Sequence, residues 1–306
     1  MSRIQDVVLN WDRVAQPIQL STLSRGLDHV LSHQVASQVR ELAVDLFNQH
    51  GMLEESRFLT DLLRDAFGEV PRVAEMTSED AQTLQEIARN REAAQQQWAQ
   101  EISYSDYVGT SVKTLFQISP QGIDWQGTRW PFESINRIMW GGFMGQPGEE
   151  PQYLITFGNE DVSTTVTTHD QSAYSAITQK LWVAVGKRLL VELVTELGKG
   201  KRIAFGDAIV DDQGIELVRR NQWAASSQWG FQYQNQGMSN SRVLVIWSHV
   251  HLESINGVLR LSHKQEPATC VELPYLSVAN AHILKIAIQN LLEMKSPVLM
   301  SDLLRQ

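Results

Sequence analysis

The 306-residue sequence contains a single cysteine, Cys270. One cysteine excludes a disulfide framework and a zinc site built from several thiolates, and it is typical of a reducing compartment. No stretch approaches 18 uninterrupted apolar residues, the length that a transmembrane helix needs. The opening MSRIQDVVLNWDR lacks a basic region followed by an apolar run. We therefore expect no secretory signal and a cytoplasmic location.

Sequence motifs of common enzymes are also missing. The chain has no phosphate-binding G-x-x-x-x-G-K-[ST], no dinucleotide-binding G-x-G-x-x-G, no H-E-x-x-H of metalloproteases and no G-x-S-x-G of hydrolases. Acidic residues are frequent, but their spacing does not select a catalytic pair. We therefore predict a protein that is not an enzyme and that has no catalytic residues, metal site or cofactor.

The net charge of −9 is unevenly distributed. Residues 1–108 contain 9 Arg, no Lys and 17 acidic residues, whereas residues 109–306 are almost neutral. An acidic chain is poorly suited to general nucleic-acid binding, because neutralisation of phosphates supplies most of that affinity. We expect no nucleic-acid partner and a chain composed of two unlike parts.

The first part has the apolar periodicity of helices. Large aliphatic side chains recur every three or four residues from Leu27 to Leu46, which predicts a helix ending at Gly51. A second helix is predicted from Glu54, stopped by Gly68 and Pro71, and a third from Ser78.

Residues 41–63 resemble a tetratricopeptide-type helical hairpin. The matching features are small residues at Ala43 and Ser56, large residues at Leu46 and Phe47, and Gly51 at the turn. An ordinary helical bundle is the alternative interpretation of the same pattern.

From Val112 the periodicity changes to that of strands. The turn Ser119-Pro120-Gln121-Gly122 separates two short strands, and further strands precede a helix from about Asp170. The same order recurs after residue 198, where Asp211-Asp212-Gln213-Gly214 forms the corresponding turn and a helix begins near Val278. Phe132 to Ile135 and Trp247 to Val250 occupy matching places in the two repeats.

Two units of about seven strands, each closed by one C-terminal helix, resemble the bacterial pleckstrin-homology-like fold. The predicted fold class is therefore α+β: a helical domain at 1–108, then pleckstrin-homology-like antiparallel β-sandwich or barrel units at 109–198 and 199–306. Helices followed by such units also resemble the region outside the J-domain in some bacterial J-domain-containing proteins. The His-Pro-Asp signature of a J-domain is absent, so co-chaperone activity does not transfer with the resemblance.

The stretch 250–264 is predicted as a hairpin around Asn256-Gly257, because both central positions of a type I′ turn need positive φ. This register pairs Leu252 with Leu261 and directs Leu252, Leu259 and Leu261 to the core. It also places His263 on the face opposite to His249 and His251, which is a further reason to expect no metal site.

Aromatic and flexible polar residues together predict two candidate partner-binding segments. Residues 221–241 mix aromatic anchors with Gln, Asn, Ser and Gly, as recognition loops do, although a strand covering the sheet fits the same residues. The loop near 141–151 exposes two apolar side chains or folds them back onto the sheet. The candidate residues are Trp223, Trp229, Phe231, Tyr233, Phe143 and Met144.

Basic residues border the junction of the two β-rich units. They could bind an anionic ligand, an acidic partner segment or the acidic N-terminal domain. These residues are Lys187, Arg188, Lys199, Lys201, Arg202, Arg219 and Arg220. The sequence as a whole predicts a non-catalytic adaptor or scaffold that binds another protein in a multi-protein assembly, with a chaperone-linked or defence-linked setting suggested by the resemblance. The alternative is peripheral binding to a membrane or anionic lipid through the β-rich units.

Overall fold

The computed structural model describes residues 2–27, 29–144, 148–219, 241–294 and 298–305. The chain divides into two compact units, Met1–Trp98 and Ala99–Gln306. The first is helical and the second contains antiparallel sheets, so the fold class is α+β. Among the described residues, none of the helices combines the length and hydropathy needed to cross a bilayer.

The described part of the helical region contains four helices. Their bounds are α1 Ser2–Leu23, α2 Val30–His50, α3 Leu53–Ala66 and α4 Pro71–Ile102. The second helix ends as expected at Gly51, whose φ of 65° is left-handed. The expected start of a helix at Ser78 is wrong: α4 begins with Pro71, because proline fits the first helical turn, where its missing N–H leaves no bond unmade.

Small side chains mediate the packing of α2 against the rest of the helical unit. Ser32, Ala36 and Ala43 are its buried residues, and Ser56 of α3 is buried as well. The core of this unit is completed by α3 and the segment after it, mainly through Leu59, Leu63 and Phe67. Small contact residues allow helix axes to approach closely, so the larger aliphatic side chains of α2 lie at the edge of the contact or outside it.

In the first half of the β-rich unit, the described residues form seven strands in two antiparallel sheets. A four-stranded sheet has the order β1-β2-β3-β4, and a three-stranded sheet has the order β5-β6-β7. The bounds are β1 Tyr104–Val108, β2 Thr114–Ser119, β3 Gly122–Trp125, β4 Thr128–Trp130, β5 Arg137–Phe143, β6 Gln152–Gly158 and β7 Ser163–Thr168. Helices α5 Gln171–Leu181 and α6 Lys187–Gly198 follow, joined by a π-helical turn at Trp182–Gly186. The start of α5 is determined by Asp170, whose carboxylate accepts hydrogen bonds from the N–H groups of Ser172 and Ala173.

The second half forms one antiparallel sheet with the order β12-β13-β14-β10-β9-β8, in which β11 also pairs with β10. The bounds are β8 Ile203–Phe205, β9 Ala208–Val210, β10 Gly214–Arg219, β11 Ser241–Ile246, β12 Val250–Ile255, β13 Val258–His263 and β14 Thr269–Pro274. Helix α7, Ala281–Glu293, follows the last strand, and a 3₁₀ helix covers Met300–Arg305. The predicted boundaries at 108/109 and 198/199 stay predictions; β1, which precedes the first of them, pairs with β2.

Equivalent glycines close the two hairpins that were matched in the sequence. A Cβ on Gly122 would lie 2.3 Å from the carbonyl oxygen of Trp130, and one on Gly214 would lie 2.3 Å from that of Val245. Both contacts are shorter than van der Waals distance, so neither position has room for a side chain. Phe132 and Trp247 are likewise equivalent, because each is buried at the start of a three-residue 3₁₀ turn.

The predicted register of the hairpin β12–β13 is confirmed. Leu252 pairs with Leu261, and the turn residues Asn256 and Gly257 have φ values of 50° and 77°. The expected separation of His249 from His263 is wrong, since their ring centroids lie 5.7 Å apart. His249 ends a 3₁₀ turn, and the alternation of a strand does not apply there.

Candidate functional site

Several exposed apolar side chains of α1 form a stripe along the helix, while Leu9 and Leu20 are exposed on other sides. Val7, Val14 and Ile18 are 67%, 72% and 53% exposed, and Trp11 lies between them on the same side. The spacing i, i+4, i+7, i+11 places these four residues on one helical face, adjacent to the face that buries Val8 and Ala15. A soluble helix normally buries such a stripe, so its exposure points to a contact surface.

A groove of about 400 Å³ separates this stripe from α2. Its lining includes Val8 and Trp11 of α1 and Val35 and Val39 of α2. Arg3 and Gln38 are the polar residues of the lining. A groove between two helices with mostly aliphatic walls has the shape and chemistry to accept the apolar side of another helix.

The aliphatic stripe of α2 extends the same surface. Leu31 and Leu42 are exposed, and Val35 lines the groove between them in the helical pattern. These residues belong to the apolar stripe recognised in the sequence, but the buried face of α2 is the neighbouring row of small residues. The periodicity therefore identified an apolar face of α2 correctly. Whether that face is buried or exposed depends on which row of side chains packs against α3.

Trp11 and Asp12 of α1 are both partly buried. The indole Nε1 of Trp11 is buried and has no hydrogen-bond partner among the described residues. Burial raises the pKa of Asp12 above its usual range, and the nearby carboxylate of Glu69 raises it further.

The predicted aromatic segment and Arg220 cannot be placed in the fold. Trp223, Trp229, Phe231 and Tyr233 all lie outside the described residues. Phe143 and Met144, at the end of β5, are 47% and 76% exposed, as an apolar tip would be.

The predicted basic residues are mostly bound to carboxylates of the same unit. Arg202 pairs with Glu216 and Arg219 with Glu266. Lys199 lies 2.8 Å from Glu196, which also binds Lys201, and these two hydrogen-bonded ammonium groups lower the pKa of Glu196 to about 2. Apart from the exposed Lys187, the described cations of this set are therefore bound to carboxylates, and Lys199 and Lys201 share one.

Arg188 connects α6 to the 3₁₀ turn before β5. Its Nη2 donates to the carbonyl oxygens of Phe132 and Ile135, at 2.9 and 2.5 Å. Its Nη1 lies 2.5 Å from Glu192. Two hydrogen bonds of the guanidinium thus connect α6 to the turn before β5.

A larger groove of about 890 Å³ lies between α6 and β8 in the β-rich unit. Its carboxylates include Glu192 and Glu196, whose charges are neutralised by Arg188 and by the two lysines. In the described ranges, no group of three His, Cys, Asp or Glu residues is arranged to hold a metal ion. Arg137 and Glu160 also line this groove, so its polarity is mixed, in contrast to the mostly aliphatic surface of α1 and α2.

Sequence analysis missed the stripe on α1. Its signal was present, since apolar residues follow one another at positions 4, 7, 8, 11, 14, 15 and 18. This set covers two adjacent rows of a helix, and only packing against α3 determines which row is buried.

Comparison with known proteins assigns no family to this arrangement. No family model matches the chain, and no curated protein and no solved structure matches it either.

Proposed function

We propose that the protein is a non-catalytic adaptor that binds another protein through the α1–α2 surface. The observation that carries this proposal is the exposed stripe of Val7, Val14 and Ile18 beside a groove lined by aliphatic side chains. Removing apolar surface from water lowers the free energy by about 25 cal/mol per Å². Covering this surface therefore supplies a driving force for association.

The bound segment is an amphipathic helix. Helix-in-groove recognition uses apolar anchors at positions i, i+3 or i+4, and i+7 of the ligand, which insert between two receptor helices. Only Arg3 carries a formal charge among the residues lining the groove. The affinity is consequently expected to change little with salt concentration, unlike that of a site dominated by ion pairs.

The architecture proposed from the resemblances fits this role. A tetratricopeptide-like hairpin at α2–α3 is supported by the left-handed Gly51 and by the buried small residues Ala43 and Ser56. Tandem pleckstrin-homology-like folds are supported by the order of elements, since the described residues of each half of the β-rich unit form seven strands followed by helix. Both fold types commonly act as binding modules. From the resemblance to J-domain-containing proteins we propose a chaperone-linked or defence-linked assembly as the setting.

A photo-crosslinking experiment tests the adaptor proposal. The variant Val14→p-benzoylphenylalanine places a crosslinker in the stripe, whereas Leu9→p-benzoylphenylalanine places it at an exposed aliphatic residue on another side of the same helix. Irradiation of cells that express the full chain should produce an adduct of defined mass only from position 14. Absence of an adduct, or equal labelling from both positions, would overturn the proposal.

Peripheral membrane binding is the second candidate, favoured only by the exposure of Phe143 and Met144. The described cations that would contact anionic headgroups are largely engaged with carboxylates, which reduces their electrostatic contribution. Co-sedimentation with phosphatidylserine vesicles at low salt, lost in Met144→Asp, would support this candidate. Equal sedimentation with and without vesicles would remove it.

A further inference from the structure

The larger groove of the β-rich unit lies beside the outer edge of a strand. Among the described strands, β8 is at the end of its sheet and pairs only with β9, in a hairpin whose turn is flanked by Phe205 and Ala208. In such a two-residue hairpin the flanking pair exchanges hydrogen bonds and the next pair does not, so the N–H and C=O of Ala204 point away from β9. Ala204 lines the groove, and neither of these groups has a hydrogen-bond partner among the described residues.

The groove has the size and the walls of a binding site. Its volume of about 890 Å³ is within the roughly 300–1,000 Å³ of ligand pockets. Apolar side chains of three elements form its floor: Leu193 of α6, Phe205 of β8 and Ile283 of α7. The groove therefore combines an apolar floor with a wall that carries unpaired main-chain groups.

We propose that this groove binds an extended peptide segment of another protein, which adds to β8 as a further strand. The N–H of Ala204 donates to the peptide main chain and the C=O of Ala204 accepts from it, while every second side chain of the peptide points to the apolar floor. The site lies in the β-rich unit and is independent of the proposed contact at α1–α2. It provides the adaptor with a second partner site of a different recognition type.

The unpaired main-chain groups of Ala204 select an extended peptide over other ligands. A helix satisfies its main-chain groups internally, so it cannot pair with the edge of a strand. An apolar small molecule would cover the N–H and C=O of Ala204 without bonding them, which opposes binding. An extended main chain is the occupant that satisfies both groups at once.

The charges of the groove favour a peptide of low net charge. Glu192 binds Arg188 and Glu196 binds two lysines, so these carboxylates are neutralised within the unit. The other charged residues of the lining are Arg137 and Glu160, which have opposite signs. A strongly acidic segment, a strongly basic segment and a nucleic acid therefore gain little attraction at this site.

Selection of phage-displayed random linear peptides on the full chain, followed by synthesis of the selected sequence, supplies the probe. The expected peptide has apolar residues at alternate positions and binds the chain in a fluorescence anisotropy titration. Ala204→Pro removes an N–H that the described fold does not use and should weaken binding about tenfold, whereas Ala204→Ser keeps this N–H and should leave the affinity unchanged. Equal affinities of the two variants would overturn strand addition, as would failure to select any peptide.

A second measurement uses the parent chain. Hydrogen exchange of the Ala204 amide, followed by NMR, should slow when the peptide binds, because the N–H becomes a donor within a sheet. Unchanged exchange would overturn the proposal even if Ala204→Pro failed to fold. The variant Val14→Glu should bind the peptide as the parent chain does. A peptide that this variant no longer binds would occupy the α1–α2 surface, which would overturn the groove as its site and leave the proposed function intact.

Discussion

Asn280 pairs with Ile138 as though it were part of a neighbouring strand. The backbone N–H of Asn280 donates to the carbonyl oxygen of Ile138 at 2.9 Å, and the N–H of Ile138 donates to Oδ1 of Asn280 at 3.0 Å. The amide of Asn280 also donates to the carbonyl oxygen of Asn136 at 2.8 Å. One residue before α7 thus satisfies part of the outer edge of β5, an edge that would otherwise be open to another strand.

Two substitutions of Asn280 should distinguish the energetic cost of backbone strain from that of lost hydrogen bonds. Asn280 has a φ of 61°, which glycine adopts freely and alanine does not. Asn280→Gly should lower the free energy of unfolding by about 1–3 kcal/mol through the unpaired N–H of Ile138. Asn280→Ala should cost about 1–2 kcal/mol more. Urea unfolding followed by circular dichroism measures both, and equal losses would contradict the role assigned to the left-handed conformation.

Alanine substitutions of Arg188 and of its neighbour Lys187 should have very different effects on the free energy of unfolding. Arg188→Ala removes the guanidinium that donates to the carbonyl oxygens of Phe132 and Ile135, the first of which keeps the N–H of Ile135, and should cost about 1–3 kcal/mol. Lys187 is exposed on the same helix, so Lys187→Ala should change the free energy of unfolding by less than about 0.5 kcal/mol. Differential scanning calorimetry of the two variants provides the comparison. Similar melting temperatures would show that Arg188 has no structural role.

Stability should fall as the pH is lowered through the range in which His282 titrates. Its ring stacks between Trp140 and Tyr275, with centroids 4.4 and 4.0 Å away, and Nε2 donates to the carbonyl oxygen of Trp140. Burial lowers the pKa of His282 to about 4, whereas the unfolded value is near 6.5. The unfolded chain therefore binds the proton first, and stability present above pH 6.5 is lost progressively down to pH 4.

The expected loss between pH 7.5 and pH 5 is about 2 kcal/mol from this group. His282→Phe should be less stable than the parent chain at pH 7.5, because it loses the bond to Trp140, but its stability should change less with pH. Urea unfolding at the two pH values measures the difference. An undiminished pH dependence in the variant would assign the effect to another group.

The hairpin β12–β13 offers a graded test of burial. Leu261 is fully buried, its partner Leu252 is half-buried, and Glu253 is on the other face. Leu261→Asp should cost more than about 4 kcal/mol, because it places an unpaired charge in the core, and Leu252→Asp should cost less. Glu253→Ala should cost less than about 1 kcal/mol. If Leu252→Asp proved the more damaging of the two leucine variants, the observed burial would be wrong.

Local rules predicted those parts of the fold that depend on short segments. The Asn256-Gly257 turn needs positive φ at both positions, and its register follows from the alternation of the flanking strands. Helix α2 ends at Gly51 for a similarly local reason. Such rules did not predict the candidate site. Two adjacent rows on α1 are both apolar, and local rules do not distinguish which of them is buried.

The amino-acid sequence by itself determined an acidic helical part followed by two repeats of strands and a helix, because hydrophobic period and turn chemistry act over a few residues. Tertiary structure alone decided which apolar row is buried: the small side chains of α2 pack against the neighbouring helix, so Leu31 and Leu42 stay exposed. It also decided that Asn280 binds Ile138, 142 residues away, and that the described arginines of the basic set face carboxylates. These pairings depend on distances between segments that are far apart in the chain, about which sequence periodicity carries no information.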